Sequence, residues 1–322
     1  MEKRLIPSTQ LSVSRACLGT MTFGAQVDQS TASRMLDRAA EAGINFLDTA
    51  NVYNRGESER ILGKILGKRR SEFVLASKVA MKVGDTPEKV GLSRAAILKT
   101  VEDSLRRLQT SHLDFCYLHQ PDYSVPIEET LGAMQTLVEQ GKVRHVATSN
   151  YAAWQICQLL WCADKNHLPA PRLAQPMYNL LARRIEDEFL PACRALGVAT
   201  FVYNPLAGGL LTGKHTAAAP IPGSRFDNNK AYTDRYWNEV NHEAVRRLQT
   251  ASSAAGRSLI SVSLNWLLHH TTIDGIIIGA SSEQQLEQNL AAIKEGALDS
   301  ATLSECEAIW TSLRGASPKY NR

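Results

Sequence analysis

Short apolar runs ending on polar or charged residues recur along this chain, separated by stretches with helical periodicity. The runs are ACLGT (16–20), INFLD (44–48), FVLASK (73–78), LDFCYLH (113–119), VRHVATS (143–149), RLAQP (172–176), ATFVYN (199–204) and GIIIGA (275–280). Between them, Ile97, Val101, Leu105 and Leu108 share one helix face behind Ser93, a suitable N-cap. Ile127, Leu131, Met134, Leu137 and Val138 repeat the pattern, with Gly141 as the stop. Leu286, Leu290 and Ile293 mark a helix after the last run. From Asp48 on to Lys78, His119, Ser149, Gln175 and Tyr203, the successive intervals are 30, 41, 30, 26 and 28 residues. Each interval holds one helix and two loops, the crossover that parallel strands require.

Eight such alternations predict an α/β fold, a (β/α)8 TIM barrel, as a single domain over residues 1–322. KRLIPSTQLSVSR reads as an N-terminal β-hairpin plugging the barrel bottom. Residues from 301 to about Arg314 read as an extra C-terminal helix, with SPKYNR as an exposed tail. Residues 204–240 read as a long, irregular active-site loop.

Composition narrows the partners. Hydrophobic content of 44% and charged content of 21% are ordinary for a soluble globular chain. A net charge of +4 without a basic stripe gives no expectation of nucleic acid. No apolar run approaches the ~20 residues that span a membrane, so no membrane association is expected. MEKRLIPSTQL lacks the apolar core of a secretory signal. Cys17, Cys116, Cys157, Cys162, Cys193 and Cys306 form no CxxC pair, and most lie in apolar stretches. They read as small buried hydrophobes in a cytoplasmic protein, with no metal site expected.

The chemistry belongs at the C-terminal ends of the strands, where a barrel places its active site. Asp48, Lys78, His119, Ser149, Asn150, Gln175, Tyr203, Asn204 and Gly279 stand there, with Tyr53 in the loop after Asp48. A phenol is a weak acid, with an ordinary pKa of about 10. A neighbouring ammonium favours its phenolate, and Lys78 is placed for that role, with Asp48 as its counter-charge. His119 can hydrogen-bond and orient a substrate oxygen. Such a set polarises a carbonyl and protonates it, but no side chain supplies a hydride, so a nicotinamide is implied. NPLAGGLLTGK (204–214) matches neither of the common phosphate-loop patterns. Two readings stay open for it: a flap whose amides and Lys214 face a pyrophosphate, or a plain glycine-rich turn. In GASSEQQLEQN (279–289), Ser281 and Gln285 can reach an anion at a helix N-terminus that Ser282 caps. Tyr232, Tyr236 and Trp237 surround Arg235, an aromatic wall with a cation suited to a carboxylated substrate.

The stretches CLGTMTFG, INFLDTANVYNRGESERILG, LHQPD, TSNY, AQPMYN, YNPLAGGLLTGK and IIIGASSEQQLEQNL, in this order, resemble the aldo-keto reductases over nearly the whole chain. The resemblance implies a catalytic tetrad of Asp48, Tyr53, Lys78 and His119, with Tyr53 as proton donor. It implies NADP(H) in an extended pose across the barrel mouth. The matching positions are Ser149, Asn150, Gln175, Tyr203 stacked on the nicotinamide, Asn204, Leu206, Gly208, Leu210, Lys214, Arg225, Gly279, Ser281, Gln285, Gln288 and Asn289. YTDRYW, LNWLLHH and PKYNR are most similar to the aflatoxin-aldehyde and succinic-semialdehyde reductase branch. There a tyrosine and an arginine three apart contact substrate, which falls on Tyr232 and Arg235. The expectation is reduction of small carboxylated or dicarbonyl aldehydes, by an enzyme that the same branch implies to be a homodimer. The alternatives are a biosynthetic reductase of bulkier polyketide-type carbonyls and an NADPH-binding regulatory protein like the channel β subunits.

Overall fold

A closed parallel barrel is the frame of this protein in its computed structural model, which describes residues 1–83, 90–216, 219–227 and 229–316. A hairpin of β1 (Lys3–Leu5) and β2 (Ser12–Ser14) precedes it. The barrel strands are β3 (Ala16–Gly19), β4 (Phe46–Asp48), β5 (Val74–Val79), β6 (Leu113–Leu118), β7 (Val143–Ser149), β8 (Leu173–Gln175), β9 (Ala199–Val202) and β10 (Gly275–Gly279). Each pairs with its sequence neighbour, and β10 returns to pair with β3. All eight expected runs contain strands: 143–149 over its whole length, 73–78 displaced by one residue to Val74–Val79, and the others trimmed at their ends.

The helices are α1 (Gln29–Glu41), α2 (Glu57–Leu66), α3 (Arg94–Leu108), α4 (Ile127–Glu139), α5 (Ala153–Asn166), α6 (Phe189–Ala195), α7 (Lys230–Tyr236), α8 (Glu239–Ala254), α9 (Leu259–His269), α10 (Glu283–Ile293) and α11 (Ser300–Arg314). Their starts follow local chemistry. Ser93 accepts from Ala96 N and Ser282 from Gln285 N, each satisfying an amide that the first helical turn leaves free. Gly141 takes a φ of 68° just past α4, the left-handed conformation that lets the chain leave a helix. α11 ends at Arg314 as expected, and SPKYNR lies outside the described residues.

The hairpin does seal one end. Ile6 and Val13 join Cys17, Phe46, Phe115 and Phe201 in one apolar cluster inside the barrel. Ser14 N donates to Asn45 Oδ1, just ahead of β4, at 2.7 Å. The stretch 204–240 differs from expectation. It holds a short 3-10 turn over Ala207–Thr212 and the helix α7, and α8 already begins at Glu239. KAYTDRY has no apolar period. The helix exists because Tyr236 is buried, its hydroxyl accepting from Asn179 Nδ2 at 2.9 Å.

The period of two along a strand explains where the site falls. The interior cluster takes Phe46, Ala76, Tyr117, Ala147, Leu173, Phe201 and Ile277 from seven strands. Two residues further on, the next inward-facing positions are Asp48, Lys78, His119, Ser149, Gln175, Tyr203 and Gly279. The core therefore turns into the site floor one step along every one of these strands.

Candidate active site

Lys78 is fully buried, and its ammonium donates to Asp48 Oδ2 at 2.6 Å and to the Thr49 carbonyl at 2.7 Å. The other carboxylate oxygen, Oδ1, accepts from Gln175 Nε2 at 2.8 Å. A buried charge pair persists only when its remaining valences are satisfied, and here the protein satisfies them. The ammonium also lies 4.9 Å from the Tyr53 ring centroid and 5.5 Å from that of Tyr117. Tyr53 and His119 meet edge to face, with ring centroids 6.3 Å apart.

The charges shift each group in a defined direction. Burial alone would push Lys78 down, but the attraction of Asp48 and Tyr53 and its hydrogen bonds hold it above the ordinary lysine value. Burial, with the Lys78 charge, pushes His119 down to about 3, so its imidazole is neutral. Tyr53 departs from expectation. Lys78 does pull its pKa down, but burial is the larger influence and Asp48 opposes too, so the phenol sits above its ordinary value. The ammonium offsets only part of the desolvation of a phenolate, and Tyr53 keeps its proton at neutral pH.

A cavity of about 1320 Å³ opens above this floor, walled by Tyr53, His119, Tyr203, Gly208, Arg225 and Ser281. Ligand sites for one small molecule are typically about 300–1,000 Å³, so this one has room for a dinucleotide and a small substrate. Ser149, Asn150, Gln175, Asn204, Leu206, Lys214, Gly279, Gln285, Gln288, Asn289, Tyr232 and Arg235 also line it. Leu210 does not. Its side chain is fully buried in the core, leaving only its backbone for a ligand.

The strand-end residues hold one another in place. Ser149 Oγ donates to the Gln175 carbonyl at 2.9 Å, and Asn150 Nδ2 to the His119 carbonyl at 2.8 Å. Tyr203 OH donates to Asn150 Oδ1 at 2.8 Å. Ser281 N and Oγ both donate to Gln285 Oε1 at 3.0 Å. The aromatic wall expected around Arg235 is thinner than the sequence implies. Tyr236 is buried and Trp237 packs on His242, so Tyr232 alone faces the cavity, with the Arg225 and Arg235 guanidinium carbons 5.3 and 5.5 Å from its ring centroid. Arg225 also donates to Met21 Sδ at 2.9 Å, bridging the mouth.

Sequence reasoning did not find Thr49, Met21, Tyr117 or Gln120 as part of this site. Thr49 acts through its carbonyl, which no sequence pattern reveals, and Tyr117 sits inside an apolar run. Gln120 was open to discovery, since it follows His119 at a strand end and lines the cavity.

An eight-stranded barrel with a buried ammonium–carboxylate pair, a protonated phenol and a neutral imidazole at one mouth is the architecture of a barrel oxidoreductase. Comparison with known proteins agrees. Residues 15–311 match the model of the Aldo/keto reductase family, and the chain belongs to that family. It is 37% identical to rat aflatoxin B1 aldehyde reductase member 2, covering 95% of this chain and 87% of that protein. It is 36% identical to human aldo-keto reductase family 7 member A3, covering 98% and 100%. It is also 34% identical to an Arabidopsis thaliana protein named probable voltage-gated potassium channel subunit beta, covering 91% of each.

The protein is thus an NADP(H)-dependent carbonyl reductase of this family. Its residues fit that cofactor. Asn204 Nδ2 is a buried donor with no acceptor, on a residue that lines the cavity. Gly208 and Gly209 turn with φ of 69° and 106°, a left-handed backbone that glycine favours, and both line the cavity. Among the described residues no helix is long and apolar enough to cross a membrane, and no group of acidic, His or Cys side chains could hold a metal.

Proposed function

We propose that this chain reduces aldehydes and ketones to alcohols with Tyr53 as the proton donor, and that its substrates are small carboxylated or dicarbonyl aldehydes. The observation that carries the reading is the chain Gln175–Asp48–Lys78 beneath Tyr53. Ser149, Asn150, Gln175, Tyr203, the Asn204–Lys214 segment, Arg225, Gly279 and the start of α10 are the residues that would hold the cofactor. When bound, NADPH supplies a hydride to the carbonyl carbon. His119, neutral, can donate one hydrogen bond to the carbonyl oxygen and fix its position. Tyr53 retains its proton until negative charge develops on that oxygen, then gives it up. The resulting phenolate is stabilised by the adjacent ammonium, which Asp48 keeps charged. The stabilisation appears only as the reaction proceeds, which is where it accelerates.

Arg225 and Arg235 support the anionic substrate. Both line the mouth, and among the described residues neither has a carboxylate within ion-pair distance. The name of the rat relative, which specifies an aflatoxin B1 aldehyde, favours aldehydes. Tyr53→Phe should bind NADPH with unchanged affinity and lose turnover by orders of magnitude; normal aldehyde reduction by this variant would refute the assignment. A panel of carboxylated aldehydes against bulky aryl carbonyls tests the substrate class, because a preference for the aryl set points to the biosynthetic reading. A sub-stoichiometric burst of NADPH oxidation without steady turnover would instead point to a regulatory role, the reading that the likeness to the channel-subunit relative favours.

A further inference from the structure

Behind the glycine turn lies a cluster that the chemistry above does not use. His215 is buried, and among the described residues both of its ring nitrogens lack a hydrogen-bond partner. Its ring meets Phe226 and Trp237 edge-on, with centroids 5.1 and 5.6 Å away. Trp237 in turn packs on His242 of α8 at 4.8 Å, and Phe226 on Tyr232 at 6.3 Å. This cluster backs both glycines. A methyl group on Gly208 would lie 2.8 Å from the Tyr232 ring and 3.3 Å from Phe226, and one on Gly209 would lie 3.7 Å from His215 Nε2.

We propose that His215 is a positioning residue for cofactor binding: neutral, it holds the Gly208–Gly209 turn against the aromatic cluster, and its protonation releases that turn and weakens the grip on NADP(H). The proposal rests on the reading that the cofactor lies along this turn.

The surroundings make the neutral form necessary. Lys214, on the same segment, and His242, from α8, are the charged or titratable groups that act on His215, and both oppose a proton there. Glu239 and Arg246 act on His242 from one turn away. Phe226 is flanked by Arg225, turned to Met21 and Tyr232, and by Asp227, which accepts from Gly223 N. From α7, Arg235 is turned to Tyr232. Among the described residues no carboxylate faces the imidazole, and its apolar neighbours offer an N–H no acceptor. Burial and Lys214 together hold its pKa down, at about 4 against an ordinary 6.5. Protons therefore prefer the released turn, where the ring is solvated, and this cost is absent above pH 6.5 and grows as the pH falls toward 4.

The test is NADPH affinity by fluorescence titration of the full chain at pH 7.5 and 5.5. Affinity of the unaltered protein should weaken between these values by up to about tenfold more than that of His215→Phe, which keeps an aromatic ring and loses the titration. The comparison is needed because the cofactor's 2′-phosphate itself titrates near pH 6. His215→Ala should weaken binding several-fold at both pH values and raise the KM for NADPH, with kcat at saturation nearly unchanged. Identical pH dependence in His215→Phe and the unaltered protein, or unaltered affinity in His215→Ala, would overturn the proposal. Gly208→Ala separates the two layers. If it binds NADPH normally, the placement of the cofactor along the turn is wrong and the role of His215 falls with it. If it binds poorly while His215→Ala binds normally, the role of His215 alone fails.

Discussion

Tyr53 and His119 share one mouth, yet burial acts on them with different consequences. Desolvation disfavours whichever form is charged, so it leaves the phenol protonated and the imidazole unprotonated, the two states that the proposed reduction uses. The pH dependence follows. Because His119 titrates near 3, kcat/KM for carbonyl reduction should show no ionisation of this residue between about pH 5 and 9. On the proposed role of Tyr53 as proton donor, the loss should come only on the alkaline side, above the ordinary phenol value of 10, as the phenol ionises. A pH–rate profile at saturating NADPH checks this, and an alkaline limb centred near neutrality would contradict it. The direction of the Tyr53 shift could not be read from sequence. Its neighbours are nameable from the motif, but their balance against burial depends on how deeply the ring is packed.

Strands and helices were legible for different reasons. An apolar run that stops at Asp48, Lys78 or His119 announces both the strand and its functional end, because the inward face carries core residues until the site begins. The helix α7 escaped because nothing in KAYTDRY marks a buried face; tertiary contacts of Tyr236 decide it. The packing of α2 on α3 was equally invisible, and it depends on one glycine. A methyl group on Gly63 would meet the Arg107 carbonyl oxygen and the Leu108 carbonyl carbon at 2.6 Å, backbone atoms that cannot swing aside. Nearby, the buried Glu59 accepts from Ser77 Oγ at 2.5 Å and Arg107 Nε at 2.7 Å, fixing the same pair of helices to β5. Gly63→Ala should therefore destabilise the fold by about 1–3 kcal/mol despite its better helix propensity, measured as a lowered urea midpoint. An unchanged midpoint would mean the helices part without cost.

At the scale of the whole molecule, two features join distant parts of the chain. Arg183, between β8 and α6, is buried, its guanidinium 4.5 Å from the Trp266 ring centroid of α9 and 5.6 Å from that of Trp310 in α11. It donates to Glu186 at 2.6 Å and to both oxygens of Glu307 at 2.8 Å, so one side chain links α11 to the segment between β8 and α6. Glu307 is half-exposed, which reduces the worth of that pair. Arg183→Met should cost about 2 kcal/mol, read as a fall in Tm, with NADPH affinity intact because the cavity is elsewhere. Loss of NADPH binding together with stability would show that the clamp reaches the site.

The second feature is the seam where Ile276 pairs with Ala16, joining the last barrel strand to the first. While the polypeptide emerges from the ribosome, the cylinder cannot close until residues 275–279 have cleared the exit tunnel. Until then the growing sheet carries bare rims on β3 and its newest strand, the kind of rim that recruits strands from other molecules. Premature termination anywhere ahead of Gly275 thus yields something worse than an inactive fragment. Such a product keeps two adhesive borders that only the missing strand could have covered.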